Sequence, residues 1–169
     1  IYKRCGETGK RCISQAGAKN FTLVMPDADI PGTVAACLTS FFGNTGQRCL
    51  AGANLLPVGE GLSDAGYDTF YKKIVETFIE AAAKIRMGYG LDDKVQMGPV
   101  RDAKKKQGIV GYIEKGIQER ATMRLDGRQP KIMGDWPGDA FLGPTVFEDV
   151  TPDMTIAKEE IFGPVASIL

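Results

Sequence analysis

The sequence predicts an α/β layer fold with a mainly parallel sheet. Short apolar runs closed by proline, glycine or aspartate alternate with longer segments whose apolar residues recur at steps of three and four. Strands separated by helices in this way are joined most simply in parallel. The composition is that of an ordinary globular chain: its 169 residues are 43% hydrophobic and 25% charged, enough to close one sizeable core.

In chain order, Phe21-Thr22-Leu23-Val24-Met25 reads as a short buried strand, ended by Pro26 and the acidic turn Asp27-Ala28-Asp29. Val34, Cys37, Leu38, Phe41 and Phe42 then share one helical face, with Pro31 suited to the first turn. That helix ends near Gly43-Asn44, residue types that tolerate the left-handed conformation. Cys37 is therefore predicted in the core, where a free cysteine packs as a small hydrophobe, and Cys49 on a loop. Asn54-Leu55-Leu56-Pro57-Val58 reads as a strand with its proline at an edge or end. Tyr67, Phe70, Ile74, Phe78, Ala81 and Ile85 mark one face of a long helix. Residues 88–93 form a turn-rich connection, and Ile109, Ile113 and Ile117 mark a third helix across roughly residues 101–120. Residues 121–125, 141–150 and 163–169 read as strands, and 126–140 is the most loop-like region.

Several classes of function are disfavoured. Lys+Arg and Asp+Glu are 21 each, so charge balance gives no reason to expect nucleic acid or an anionic membrane surface. The one dense basic cluster, Lys104-Lys105-Lys106, reads as a solvated helix face. The cysteines Cys5, Cys12, Cys37 and Cys49 contain no CxxC pair and histidine is absent, so no metal site is expected. Without histidine, a Ser-His-Asp or Cys-His arrangement cannot be completed here, and a nucleophile must be activated otherwise. No apolar run reaches membrane-span length, and reduced thiols in a soluble intracellular protein are the expectation. The chain opens on Ile1 and closes on the strand-like run Ser167-Ile168-Leu169, which reads as a piece of something longer.

Four segments carry a resemblance. Gln15-Ala16-Gly17-Ala18-Lys19-Asn20, Gly46-Gln47-Arg48-Cys49, Gly143-Pro144-Thr145-Val146-Phe147 and Glu159-Glu160-Ile161-Phe162-Gly163-Pro164-Val165 resemble, in order and spacing, the motif series of the aldehyde dehydrogenase superfamily. The Gly-Ala-Lys-Asn box, Arg48 and Gly90-Leu91-Asp92-Asp93 are most similar to its CoA-acylating methylmalonate-semialdehyde dehydrogenase branch. The resemblance implies a truncated three-layer catalytic-domain fold, with residues 1–169 a partial catalytic domain and the NAD-binding and oligomerisation segments largely absent.

It also implies roles. Cys49 matches the nucleophile that attacks the aldehyde carbonyl to give a thiohemiacetal and, after hydride passes to NAD, a thioester. Its backbone N–H would be one oxyanion donor, the family's asparagine donor falling ahead of Ile1. Adjacent Arg48 would favour the thiolate and hold a substrate carboxylate by paired, charge-assisted bonds. Glu160 and Phe162 match residues that grip the nicotinamide ribose and pack on the nicotinamide. Lys19 reads as structural, and Asn44 equally as a helix-end residue or part of the site. Gln15, 34 residues before Cys49, stands where most of the family has the glutamate that activates water. An amide cannot take a proton at neutral pH, so hydrolysis gives way to coenzyme A as the acyl acceptor.

The implied reaction converts malonate or methylmalonate semialdehyde, with NAD and coenzyme A, to acetyl-CoA or propionyl-CoA, the substrate carboxylate being lost as CO2 and NAD reduced to NADH. The implied parent is a homo-oligomer, dimer or tetramer, cytoplasmic if bacterial and mitochondrial if eukaryotic; the piece alone would show no turnover. Two alternatives remain open: a hydrolytic enzyme using another carboxylate such as Glu159, and a stable non-catalytic folding or interaction module.

Overall fold

The computed structural model describes residues 1–59 and 61–169. A short helix, α1 (Tyr2–Glu7), precedes the edge strand β1 (Asn20–Val24). Helix α2 (Ile30–Phe42) starts where Asp29 Oδ2 accepts the Gly32 N–H at 2.9 Å, with proline in its first turn, as the sequence implied. Strand β2 (Gly52–Pro57) leads to α3 (Asp64–Ala83), capped by Ser63, and a two-residue strand β3 (Met87–Gly88) follows. Asp102 caps α4 (Ala103–Gln118) through the Lys105 N–H at 2.7 Å. Strands β4 (Thr122–Leu125), β5 (Ile132–Met133) and β6 (Thr145–Glu148), the one-turn helix α5 (Thr155–Lys158) and β7 (Val165–Ile168) complete the order.

The main sheet runs β1-β2-β7-β6-β4, and only the β4–β6 pair is antiparallel; β3 and β5 form a small parallel sheet. The three layers follow from strand alternation. Val146 of β6, with Ala166 and Ile168 of β7, packs under α2 and α3 beside Phe41, Ile74 and Phe78. Phe147 and Val165 point to the other face, against Ile109 and Ile113 of α4 and Ile156 of α5. Cys37 is 4% exposed within the first of these cores.

Four expectations are corrected. The Phe21–Met25 strand is not buried: Phe21 and Leu23 are 52% and 61% exposed, because β1 lies at the sheet edge and buries only Val24. Ile117 is 42% exposed, since the seat of α4 on the sheet ends at Gly116, which packs against Phe147 and Ile156. The lysine cluster is only partly solvated: Lys105 Nζ donates to Ile161 O at 2.9 Å and Lys106 Nζ to Gly138 O at 3.2 Å. At the end of α2, Gly43 is not left-handed; its missing side chain instead makes room for the Arg48 guanidinium, 2.7 Å from where a Cβ would stand.

Candidate active site

The loop carrying Cys49 begins with an unusual turn. Asn44, Thr45 and Gly46 all take positive φ, at 52°, 56° and 66°. A β-branched residue rarely enters that region. Thr45 is held there by its buried hydroxyl, which donates to Gly98 O at 3.0 Å. The turn reverses the chain, and Gln47 Oε1 accepts the Arg101 N–H at 2.9 Å. Cys49 then emerges exposed.

Three polar contacts fix the loop from below. Asn20 Nδ2 donates to Cys49 O at 2.9 Å and to Ala51 O at 2.8 Å, tying the start of β1 to the approach to β2. Gly52 N donates to Ser40 Oγ at 3.0 Å. The backbone N–H of Cys49 has no acceptor among the described residues, so it remains free to donate to a ligand.

Cys49 stands between two depressions. One is a cleft whose lining includes Lys19, Asn20, Gly46, Arg48, Glu160 and Phe162. On the other side, Ala35, Ala36, Thr39 and Leu50 form a more apolar groove along the outer face of α2. The cleft thus presents a thiol, a carboxylate, an ammonium and an aromatic ring, contributed by segments far apart in the chain. Lys19 is half-buried there, and burial pulls its pKa from 10.5 to about 8 against the opposing attraction of Glu160.

The segment bearing Glu160 and Phe162 is equally constrained. Phe162 takes a positive φ of 55°, and a Cβ on Gly163 would lie 2.5 Å from Ile109 Cδ1. Upstream, Asn54 Nδ2 donates to Ala157 O at 2.9 Å from inside the core. Among the described residues no group of histidine, cysteine and carboxylate side chains is placed to hold a metal ion, and no helix is long and apolar enough to cross a membrane.

Residues 1–169 match the family described as "Aldehyde dehydrogenase family". The chain belongs to the aldehyde dehydrogenase family. Among its relatives, malonate-semialdehyde dehydrogenase 1 of Geobacillus kaustophilus is 44% identical over all of this chain and 32% of its own length. The malonate-semialdehyde dehydrogenase of Listeria monocytogenes is 40% identical over the same shares. Among solved structures, methylmalonate-semialdehyde dehydrogenase from Oceanimonas doudoroffii superposes with a TM-score of 0.81 at 37% identity, covering 99% of this chain and 33% of that one. A protein described as a putative methylmalonate-semialdehyde dehydrogenase from Sinorhizobium meliloti, in complex with NAD, gives 0.81 at 38% identity over 99% of this chain and 32% of that one. The chain therefore spans about a third of the length of the relatives it matches.

Within this aldehyde dehydrogenase chain, Cys49, Glu160 and Phe162 meet at one cleft. Arg48 lines both depressions, but its Nη2 donates to Thr39 O at 2.5 Å and Ser40 O at 3.2 Å, capping the last turn of α2. Gln15 is exposed, in a stretch without regular structure ahead of β1, and is not among the residues lining the cleft. Glu159 turns away to α4, where its Oε2 accepts the Tyr112 hydroxyl at 2.9 Å. Lys19, read as structural, lines the cleft, and Asn20 emerges as the support of the Cys49 loop. Both lie in the Gly-Ala-Lys-Asn box, whose spacing showed a motif without showing what its side chains reach.

Proposed function

We propose that this chain supplies the nucleophile and the nicotinamide-side wall of an NAD-dependent, CoA-acylating semialdehyde dehydrogenase of its relatives' length. The observation that carries the reading is the placement of exposed Cys49 in the same cleft as Glu160 and Phe162. Its direction is set by relatives named malonate-semialdehyde dehydrogenase. The residues suit a nicotinamide nucleotide: a carboxylate accepts from ribose hydroxyls, and an aromatic face packs on a planar ring. When bound, NAD would accept the hydride.

The remaining chemistry falls to this chain. The Cys49 thiolate attacks the aldehyde carbon, forming the C–S bond of a thiohemiacetal while the carbonyl oxygen gains charge. The free Cys49 N–H donates to that oxygen. Loss of hydride leaves a thioester on Cys49; its carboxylate leaves as CO2 while the α-carbon takes up a proton, and the coenzyme A thiolate then displaces the cysteine thiolate to release the acyl-CoA. Arg48, at the rim and already held to α2 by Nη2, would offer its other nitrogens to the substrate carboxylate. Gln15 cannot serve as a base, and Glu159 is engaged with Tyr112. This disposition supports acyl transfer to a thiol over hydrolysis.

The test uses a full-length chimera in which these 169 residues replace the corresponding third of the Geobacillus kaustophilus relative. With malonate semialdehyde and NAD, NADH formation should depend on coenzyme A and yield acyl-CoA. Equal rates without coenzyme A, with free acid as the product, would sink the acylating assignment. Cys49→Ser should abolish NADH formation and Cys37→Ser should not.

A further inference from the structure

We propose that Lys105 is a positioning residue for the nicotinamide-side wall, acting through the carbonyl of Ile161 and the ring of Phe162. The proposal rests on the reading of Glu160 and Phe162 given above.

The starting observation is a polar stripe on α4. Lys105, Tyr112 and Glu119 follow one another at steps of seven, two helical turns apart, so they lie along one edge of the helix and its C-terminal cap. Each bonds a different point on the segment that leads through Glu160 to Phe162, and the order is antiparallel. Glu119 Oε2 accepts the Thr155 N–H at 2.7 Å and its Oε1 the Thr155 hydroxyl at 2.6 Å. Tyr112 donates to the Glu159 carboxylate at 2.9 Å, and Lys105 Nζ to Ile161 O at 2.9 Å. Apolar Ile109 and Ile113 of the same helix enter the core beneath the stripe, so α4 is anchored while its polar edge holds the segment.

Lys105 is the member that reaches the cleft wall. Its ammonium lies 5.6 Å from the Phe162 ring centroid, within reach of a cation–π attraction, while bonding the carbonyl that precedes Phe162. Phe162 has the left-handed backbone that bulky residues avoid, so it needs outside support to stay there. Lys105 supplies support on both sides of that residue's N–Cα bond, one contact to the backbone and one to the ring. Glu160 directly precedes Ile161, so the Lys105 bond to the Ile161 carbonyl also bears on its position. The ammonium is partly buried to do this, with Arg101 adding repulsion and Glu160 and Asp102 drawing it in. Nothing in the run Lys104-Lys105-Lys106 distinguishes its middle member; only the docking of α4 against this segment does.

The experiment uses the full-length chimera and four variants: Lys105→Met, Lys105→Arg, Tyr112→Phe and Glu160→Gln. Loss of a charge-assisted bond predicts a rise of about tenfold in KM and Kd for NAD in Lys105→Met, with KM for the semialdehyde unchanged. Lys105→Arg, which keeps a cationic donor, should recover most of the affinity. Tyr112→Phe should leave NAD affinity within about twofold while lowering thermal stability, since its bond is to Glu159 rather than to the Phe162 support. Without NAD, Lys105→Met should also accelerate amide exchange in a peptide covering residues 158–165. Unchanged NAD affinity or unchanged exchange in Lys105→Met overturns the proposal, as does an equal NAD effect from Tyr112→Phe. If Glu160→Gln weakens NAD binding and Lys105→Met does not, only the role of Lys105 fails. If neither variant alters NAD binding, the reading of the wall fails and the proposal falls with it.

Discussion

Gly46 and Gly163 meet backbone to backbone: a Cβ on Gly46 would stand 2.3 Å from the Gly163 carbonyl oxygen. The loop that presents Cys49 and the segment that presents Phe162 are therefore in contact without intervening side chains. Gly46 also has φ of 66°, which L side chains rarely adopt. Gly46→Ala must push the two segments apart, at about 1–3 kcal/mol by the usual cost of overpacking. Urea denaturation should show that loss.

Asn20 is expected to matter as much for order as for stability. Its amide donates to both Cys49 O and Ala51 O. Asn20→Ala removes both bonds, and Asn20→Asp sets a carboxylate against two carbonyl oxygens. Stability should fall in the order wild type, Asn20→Ala, Asn20→Asp, the first step costing about 1–3 kcal/mol. Urea midpoints at pH 7 check the order, and faster exchange of amides between Cys49 and Gly52 checks the loosening.

The thiols should separate on alkylation. Cys49 is exposed, whereas Cys37 is buried and its thiol pKa is raised by that burial. Because the thiolate is the reactive form, limiting iodoacetamide should modify Cys49 roughly ten times faster than Cys37 or more. Peptide mass spectrometry reads the two sites, and addition of urea should erase the difference. Equal rates in the folded protein would contradict the separation of loop from core.

Lys19 predicts a particular pH dependence. Its folded pKa is lowered from 10.5 to about 8, so between those values the unfolded chain binds more protons than the folded one. Stability attributable to Lys19 therefore rises with pH across that window, and the cost of keeping the ammonium half-buried is fully present below about pH 8. Lys19→Met should stabilise the protein at pH 7, and its advantage over wild type should shrink as pH rises from 8 towards 10.5. Denaturant midpoints at several pH values measure the difference; an advantage independent of pH would show that Lys19 carries no such cost.

Much of the architecture was legible in the chain itself. The period of apolar residues, with Pro31 suited to the first turn, located α2; the same period located α3 and α4. It also put Cys37 in the core and left Cys49 on a loop. These properties depend on neighbours within a few residues, where helix geometry sets which side chains share a face. What covers a face, or which distant segment a polar side chain meets, is set by long-range packing. That is why exposed Phe21 and Leu23 looked like core, why Lys105 looked like solvated surface, and why Arg48 gave no sign of its bonds to Thr39 and Ser40. The motifs around Cys49, Glu160 and Phe162 were visible one by one in the sequence. Their meeting in one cleft was decided by β2 and β7 pairing in parallel at the centre of the sheet, which carries the approaches to both strands to the same end.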